Sequence, residues 1–132
     1  MSAERRKYVR FLTKDTAFAA LRSGFKKVGR IKDISMGGLA FSYFSDTCEM
    51  NSDFYVSQVD IFLSGNGFHL YNVPCKIVCD LPNSLDDEGF YVKMNRCCLH
   101  FGELTESQLG QLNFFIKHYT RGILKSWNVK NL

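Results

Sequence analysis

Apolar and polar residues alternate with a period of two along most of the chain up to Phe101, and with helical spacing after it. Thr16 to Leu21 places Ala17, Ala19 and Leu21 on one face. Val28 to Ile34 leads into a turn at Met36-Gly37-Gly38, after which Leu39, Phe41 and Tyr43 alternate with Ala40, Ser42 and Phe44. Val59, Ile61 and Leu63 alternate up to Ser64-Gly65-Asn66-Gly67, whose Gly and Asn residues tolerate positive φ and predict a hairpin turn. Phe68 to Cys79 returns with Cys75, Ile77 and Cys79 on one face and stops at Asp80-Leu81-Pro82-Asn83-Ser84. Gly89 to Phe101 is the last strand.

The helix is marked at its start by Thr105 and Gln108, the spacing of a capping box, with Glu106 adding negative charge to the first turn. Leu109, Leu112, Ile116, Tyr119 and Ile123 recur at helical spacing, and Phe115 widens the stripe. Gly110 weakens the helix locally, and Gly122 is its expected terminator. Short antiparallel strands followed by one amphipathic helix predict a small barrel with the helix closing its open edge or end.

Composition agrees with a single domain. The 132 residues are 45% apolar and 23% charged, enough for one core without disulfides or metal. Aromatics reach 14%, with 12 Phe and 6 Tyr against 2 Pro, which favours sheet. No apolar run approaches the ~20 residues of a membrane helix, and the charged start MSAERRKYVR does not read as a signal peptide. The five cysteines, Cys48, Cys75, Cys79, Cys97 and Cys98, have no framework spacing and are expected to be free thiols in a reducing, cytoplasmic compartment.

Net charge is only +4, but ten of the 17 cations lie between Met1 and Lys32, while Ser45 to Asp60 is acidic. That asymmetry predicts a local anion site near the N-terminus. Two elements carry the candidate chemistry. In Glu4-Arg5-Arg6-Lys7-Tyr8-Val9-Arg10, two arginines stand four apart. In Asp33-Ile34-Ser35-Met36-Gly37-Gly38, a carboxylate and a hydroxyl two apart share one side of a strand. Guanidinium groups bind phosphate bidentately and also read the O6 and N7 edge of guanine. A carboxylate accepts from the guanine amino group and ring N–H. Glycines 37 and 38, with no Cβ, permit close approach.

Arg6-x-x-x-Arg10 followed by Asp33-x-Ser35-x-x-Gly38 resembles the paired signature of the PilZ domain, the bacterial receptor module for cyclic di-GMP. Arg96 to Phe101 and Leu104 to Tyr119 resemble that family's last strand and closing helix, so the likeness covers about residues 4 to 120. It departs at Cys98, where the family often has Gly, and at Lys125 to Leu132, whose lone Trp127 has no counterpart. The resemblance implies a six-stranded antiparallel, Greek-key-like β-barrel with a C-terminal helix packed on it. It implies a basic arm over residues 1–10, a barrel domain over 11–120 and a C-terminal extension over 121–132. Arg6 and Arg10 would grip phosphates and guanine edges, Asp33 and Ser35 would fix a base, and Gly38 would keep the turn open. Arg5 resembles the residue that accompanies binding of a stacked pair of ligands. The expected partners are cyclic di-GMP and an unidentified downstream protein.

Other chemistry has less support. Cys75, Cys79, Cys97, Cys98 and His100 close no zinc spacing, because adjacent Cys97 and Cys98 point to opposite faces of a strand. His69, His100 and His118 are scattered, Asp86-Asp87-Glu88 is a solvent-facing acidic loop, and no nucleophile finds an orienting base. A binding module rather than an enzyme is expected. The alternatives are a barrel of the same fold that binds proteins but not the nucleotide, and a single-stranded nucleic-acid binder. The last would show steep salt dependence and no preference for a cyclic ligand.

Overall fold

The computed structural model describes residues 8–22, 27–45, 56–82 and 93–124. Among them are eight strands and one helix: β1 (Phe11–Thr13), β2 (Ala17–Leu21), β3 (Lys27–Ser35), β4 (Gly38–Ser45), β5 (Val56–Leu63), β6 (His69–Pro82), β7 (Lys93–Phe101), α1 (Glu106–His118) and β8 (Thr120–Ile123). Every strand pairing is antiparallel. The order β2-β5-β6-β7-β4-β3 is closed into a ring by β2 pairing with β3, which makes a six-stranded barrel. Consecutive β5, β6 and β7 are neighbours, and the preceding β4 lies beside β7, a Greek-key connection. Strands β1 and β8 attach outside the ring, on the far part of β3.

Alternation puts Ala17, Ala19 and Leu21 of β2 inside, with Val59, Ile61 and Leu63 of β5 against them. The loop after Leu63 turns through Gly65 and Gly67, both at positive φ. One end of the barrel is closed by α1. Leu112 and Phe115 are fully buried, and Phe115 packs on Phe68 at 5.3 Å and Tyr119 at 5.8 Å between ring centroids. The capping box is formed in both directions: Gln108 N–H donates to Thr105 Oγ1, and Thr105 N–H donates to Gln108 Oε1, each at 3.0 Å. The opposite end carries a polar network. Tyr43 donates to Asp80 at 2.8 Å, Lys27 Nζ lies 3.1 Å from the same carboxylate, and Asn95 donates to Tyr43. Burial, and then the Asp80 carboxylate, hold the Tyr43 phenol well above its usual pKa.

Three sequence expectations need correction. The helix ends at His118, not near Gly122. Its buried face is Leu112, Phe115 and Ile116, with Leu109 exposed. Beyond it, residues 120–123 turn back as β8 onto β1, so residues 121–123, assigned to a C-terminal extension, belong to the sheet. Gly122 takes φ +151 there, opposite the irregularity between Leu12 and Thr13, a conformation that favours glycine. Second, β6 runs on to Pro82, because Asp80, Leu81 and Pro82 still pair with Cys97, Arg96 and Asn95. Third, Cys79 does not share a face with Cys75 and Ile77. An extra residue, Val78, bulges out of the ladder between the Ile77–Leu99 and Cys79–Cys98 pairs and turns Cys79 outward. Cys48, Gly89 to Val92, the acidic Asp86-Asp87-Glu88 and Trp127 lie outside the described residues.

Candidate functional site

A second bulge builds the site. In β3, Ile31 pairs with Phe41 and Asp33 with Ala40, so Lys32 is an extra residue with no register partner. It reverses the alternation. Ile31 and Ile34, three apart, both enter the core, while Asp33 and Ser35 project from the outer wall. Directly paired residues of an antiparallel ladder project from the same face, so the register lays out three rows on that wall. Arg30, Ser42, Arg96 and Leu81 form one row. Asp33, Ala40, Cys98 and Cys79 form the next, and Ser35, Gly38, His100 and Lys76 the third. Down the middle runs β4 with only small side chains, Ser42, Ala40 and Gly38, flanked by charged and polar groups on β3 and β7.

Asp33 is the centre of the wall. It is 4% exposed, and its two oxygens each face a different arginine: Arg10 Nη1 lies 3.5 Å from Oδ1, and Arg96 Nη2 lies 3.7 Å from Oδ2. Arg96 stands on β7, with β4 between it and β3, so its side chain reaches across the small residues of β4. Arg10 comes from the segment entering β1, where its carbonyl accepts from the Leu124 N–H at 2.9 Å. Both arginines are partly exposed. A guanidinium has five N–H donors, so contact with a single carboxylate oxygen leaves donors for phosphate or a purine edge.

Ser35 and the glycines form the adjoining turn. Ser35 Oγ accepts from Gly37 N–H at 3.0 Å and donates to the Gly38 carbonyl at 3.4 Å. Neither glycine is at positive φ, and what limits a side chain at each is space. A Cβ on Gly38 would lie 2.1 Å from the Leu99 carbonyl oxygen, and one on Gly37 would lie 2.5 Å from the Tyr8 ring. The close approach at Gly38 is therefore to the backbone of β7. At Gly37 it is to the aromatic residue of the N-terminal basic segment, which packs on the turn two residues before Arg10.

Of the sequence-predicted residues, Arg10, Asp33, Ser35 and Gly38 come together on one face. Arg5 and Arg6 lie outside the described residues. Arg96 was missed as a site residue. Its signal was its place in Arg96-Cys97-Cys98, where buried Cys97 fixes Arg96 and Cys98 on the outer side. The described residues contain no group of three or more His, Cys, Asp or Glu side chains placed to hold a metal ion. No helix among them is long and apolar enough to cross a membrane.

No family model matches the chain, and no curated protein matches it. Solved structures do. The PilZ domain of YcgR from Escherichia coli, with c-di-GMP, superposes with a TM-score of 0.68 at 14% identity, covering 88% of this chain and 92% of that one. MrkH of K. pneumonia in its c-di-GMP complex gives 0.65 at 17% identity, over 87% of this chain and 52% of that one. YcgR of E. coli in complex with c-di-GMP gives 0.64 at 15%, over 87% and 46%. The chain therefore spans about half the length of MrkH and YcgR and nearly all of the isolated domain. At these identities the likeness is one of fold: the chain has the PilZ-domain fold.

Proposed function

We propose that the chain is a receptor module for cyclic di-GMP, binding it on the outer wall formed by β3, β4 and β7. The observation that carries this reading is the Asp33 carboxylate set between Arg10 and Arg96, above the small side chains of β4. The ligand offers the matching groups: two phosphates, and two guanines with acceptors at O6 and N7 and donors at N1 and N2. Phosphate oxygens or a guanine edge take the guanidinium donors of Arg6, Arg10 and Arg96. Asp33 accepts from a guanine N–H pair, and Ser35 and Gly38 complete the wall beside it. Arg10 and Arg96 each keep their contact with Asp33 and turn their remaining donors to the ligand, so the buried carboxylate is not stranded. The structural neighbours solved with c-di-GMP support the assignment.

The basic segment from Arg5 to Arg10 closes over the nucleotide and becomes ordered as it binds, a common switching device. Arg5 supplies the added charge that a stacked pair of ligands needs. The output is a change of surface read by a downstream protein, in the cytoplasm, with no chemistry performed on the ligand.

Losing one bidentate arginine or its carboxylate partner costs about 1–3 kcal/mol, or roughly ten- to hundredfold in affinity. Fluorescence polarisation with labelled cyclic di-GMP should give losses of that size for Arg6→Ala, Asp33→Ala and Arg96→Ala, and none for Lys117→Ala on α1. Equal affinity across the set would refute the site. Amide exchange should slow over residues 5–10 on ligand addition, and unchanged exchange there would refute the arm.

A further inference from the structure

Four of the five cysteines lie in described residues, and all four are free thiols. They divide by face. Cys75 and Cys97 point into the core and are 3% and 0% exposed. Cys79 and Cys98 are half-buried on the outer wall, where the bulge at Val78 sets them directly opposite each other across β6 and β7. Opposed residues of an antiparallel pair have Cα atoms ~4.5–5.5 Å apart. A disulfide needs ~4.4–6.8 Å.

Other residues on the wall bear on this pair. Ala40, which pairs with Cys98 on its other side, is too small to separate the pair from Asp33 in the same row. Arg96 lies two residues along β7 on the same face. Burial is the largest influence on the Cys98 thiol and raises its pKa, Arg96 lowers it, and Cys79 and Asp33 raise it.

We propose that Cys79 and Cys98 are a reversible modification site, a dithiol that a peroxide converts to a cross-strand disulfide on the outer wall of the barrel. One thiol, as its thiolate, attacks a peroxide oxygen. The O–O bond breaks, the sulfur becomes a sulfenic acid, and the leaving hydroxide takes a proton to become water. The second thiolate attacks that sulfur and displaces hydroxide, which is protonated to a second water. Two thiols and one hydrogen peroxide thus give one disulfide and two waters, the two electrons going to the peroxide. A small-molecule dithiol reverses the step by thiol–disulfide exchange. Without the Val78 bulge Cys79 would point inward with Ile77. The pairing is thus made by the bulge, and it is independent of what binds the wall.

The test uses the full reduced chain, treated with hydrogen peroxide, denatured with N-ethylmaleimide to label remaining thiols, digested and read by mass spectrometry. The expected product is one pair of peptides joined through Cys79 and Cys98, lighter by two hydrogens than the reduced pair. Cys75 and Cys97 carry the label, and dithiothreitol restores both thiols. The rate should rise with pH, since the thiolate reacts and Cys98 is raised. Cys79→Ser and Cys98→Ser should each abolish the link while keeping the circular dichroism spectrum of the barrel. Label on both Cys79 and Cys98 after oxidation overturns the proposal, as does a sulfinic acid on either, or a link running instead through Cys48.

Discussion

At the scale of single residues, adjacent glycines make opposite demands. The Cβ of Gly38→Ala would meet the Leu99 carbonyl oxygen at 2.1 Å, and a strand backbone cannot move aside cheaply. Overpacking of this kind costs about 1–3 kcal/mol, which urea denaturation should record as a lower midpoint. The Cβ of Gly37→Ala would meet the Tyr8 ring, which is 48% exposed and can swing away. Its stability should change by less than half as much. Buried Cys75 sets a pH dependence. Burial pushes its thiol from 9.0 up to about 12. A folded-state value above the unfolded one stabilises fully below pH 9.0, and that contribution declines as pH rises toward about 12. The decline in that window is on the order of 1 kcal/mol per pH unit. Cys75→Ala should make the decline shallower by about that amount in chemical denaturation between pH 9 and 11, buried Cys97 still contributing to it; an unchanged slope would contradict the assignment. Asp33 and Ser35 were legible at this scale, because residue type and spacing alone put an acceptor and a hydroxyl on one side. Arg96 was not, because its contact with Asp33 depends on reaching across β4.

At the scale of elements, bulges decide which face a residue meets. A strand with apolar residues at Ile31 and Ile34 cannot bury both by strict alternation, so this spacing carries the Lys32 bulge in the sequence itself. The Val78 bulge left no comparable mark, since Cys75, Ile77 and Cys79 fit a plain alternation. Removing Lys32 leaves a regular β3–β4 ladder with Ile31 and Ile34 inside and Asp33 and Ser35 outside. Deleting Arg30, in the regular part, shifts Gly29 and its predecessors by one residue and reverses their faces. The Lys32 deletion should therefore still melt cooperatively, while the Arg30 deletion should lose the cooperative transition. Comparable melting of the two would contradict the register. The helix start was legible through its capping box. Its end was not: helical spacing continued through Tyr119 to Ile123, but Thr120 to Ile123 instead pair with β1, a contact between the two ends of the described chain.

At the scale of the whole molecule, the proposed receptor takes its wall from the barrel and its cations from the N-terminal segment. The mild net charge of +4 understates the local charge that Asp33 and the arginines around it present. The sheet-rich single domain and its closing helix were readable from alternation and composition. The small barrel was expected as well, from the elements and from the family resemblance; which strands meet to close it was not, because β2 pairs with both β3 and β5. The most direct test of the receptor reading is calorimetric titration of the unaltered chain with cyclic di-GMP, beside GTP and a short single-stranded oligonucleotide. The account predicts saturable heat with the cyclic dinucleotide alone, at a stoichiometry of two where Arg5 serves a stacked pair. The absence of both heat and a thermal shift at high micromolar cyclic di-GMP would contradict it and would leave a barrel of this fold whose partner is a protein.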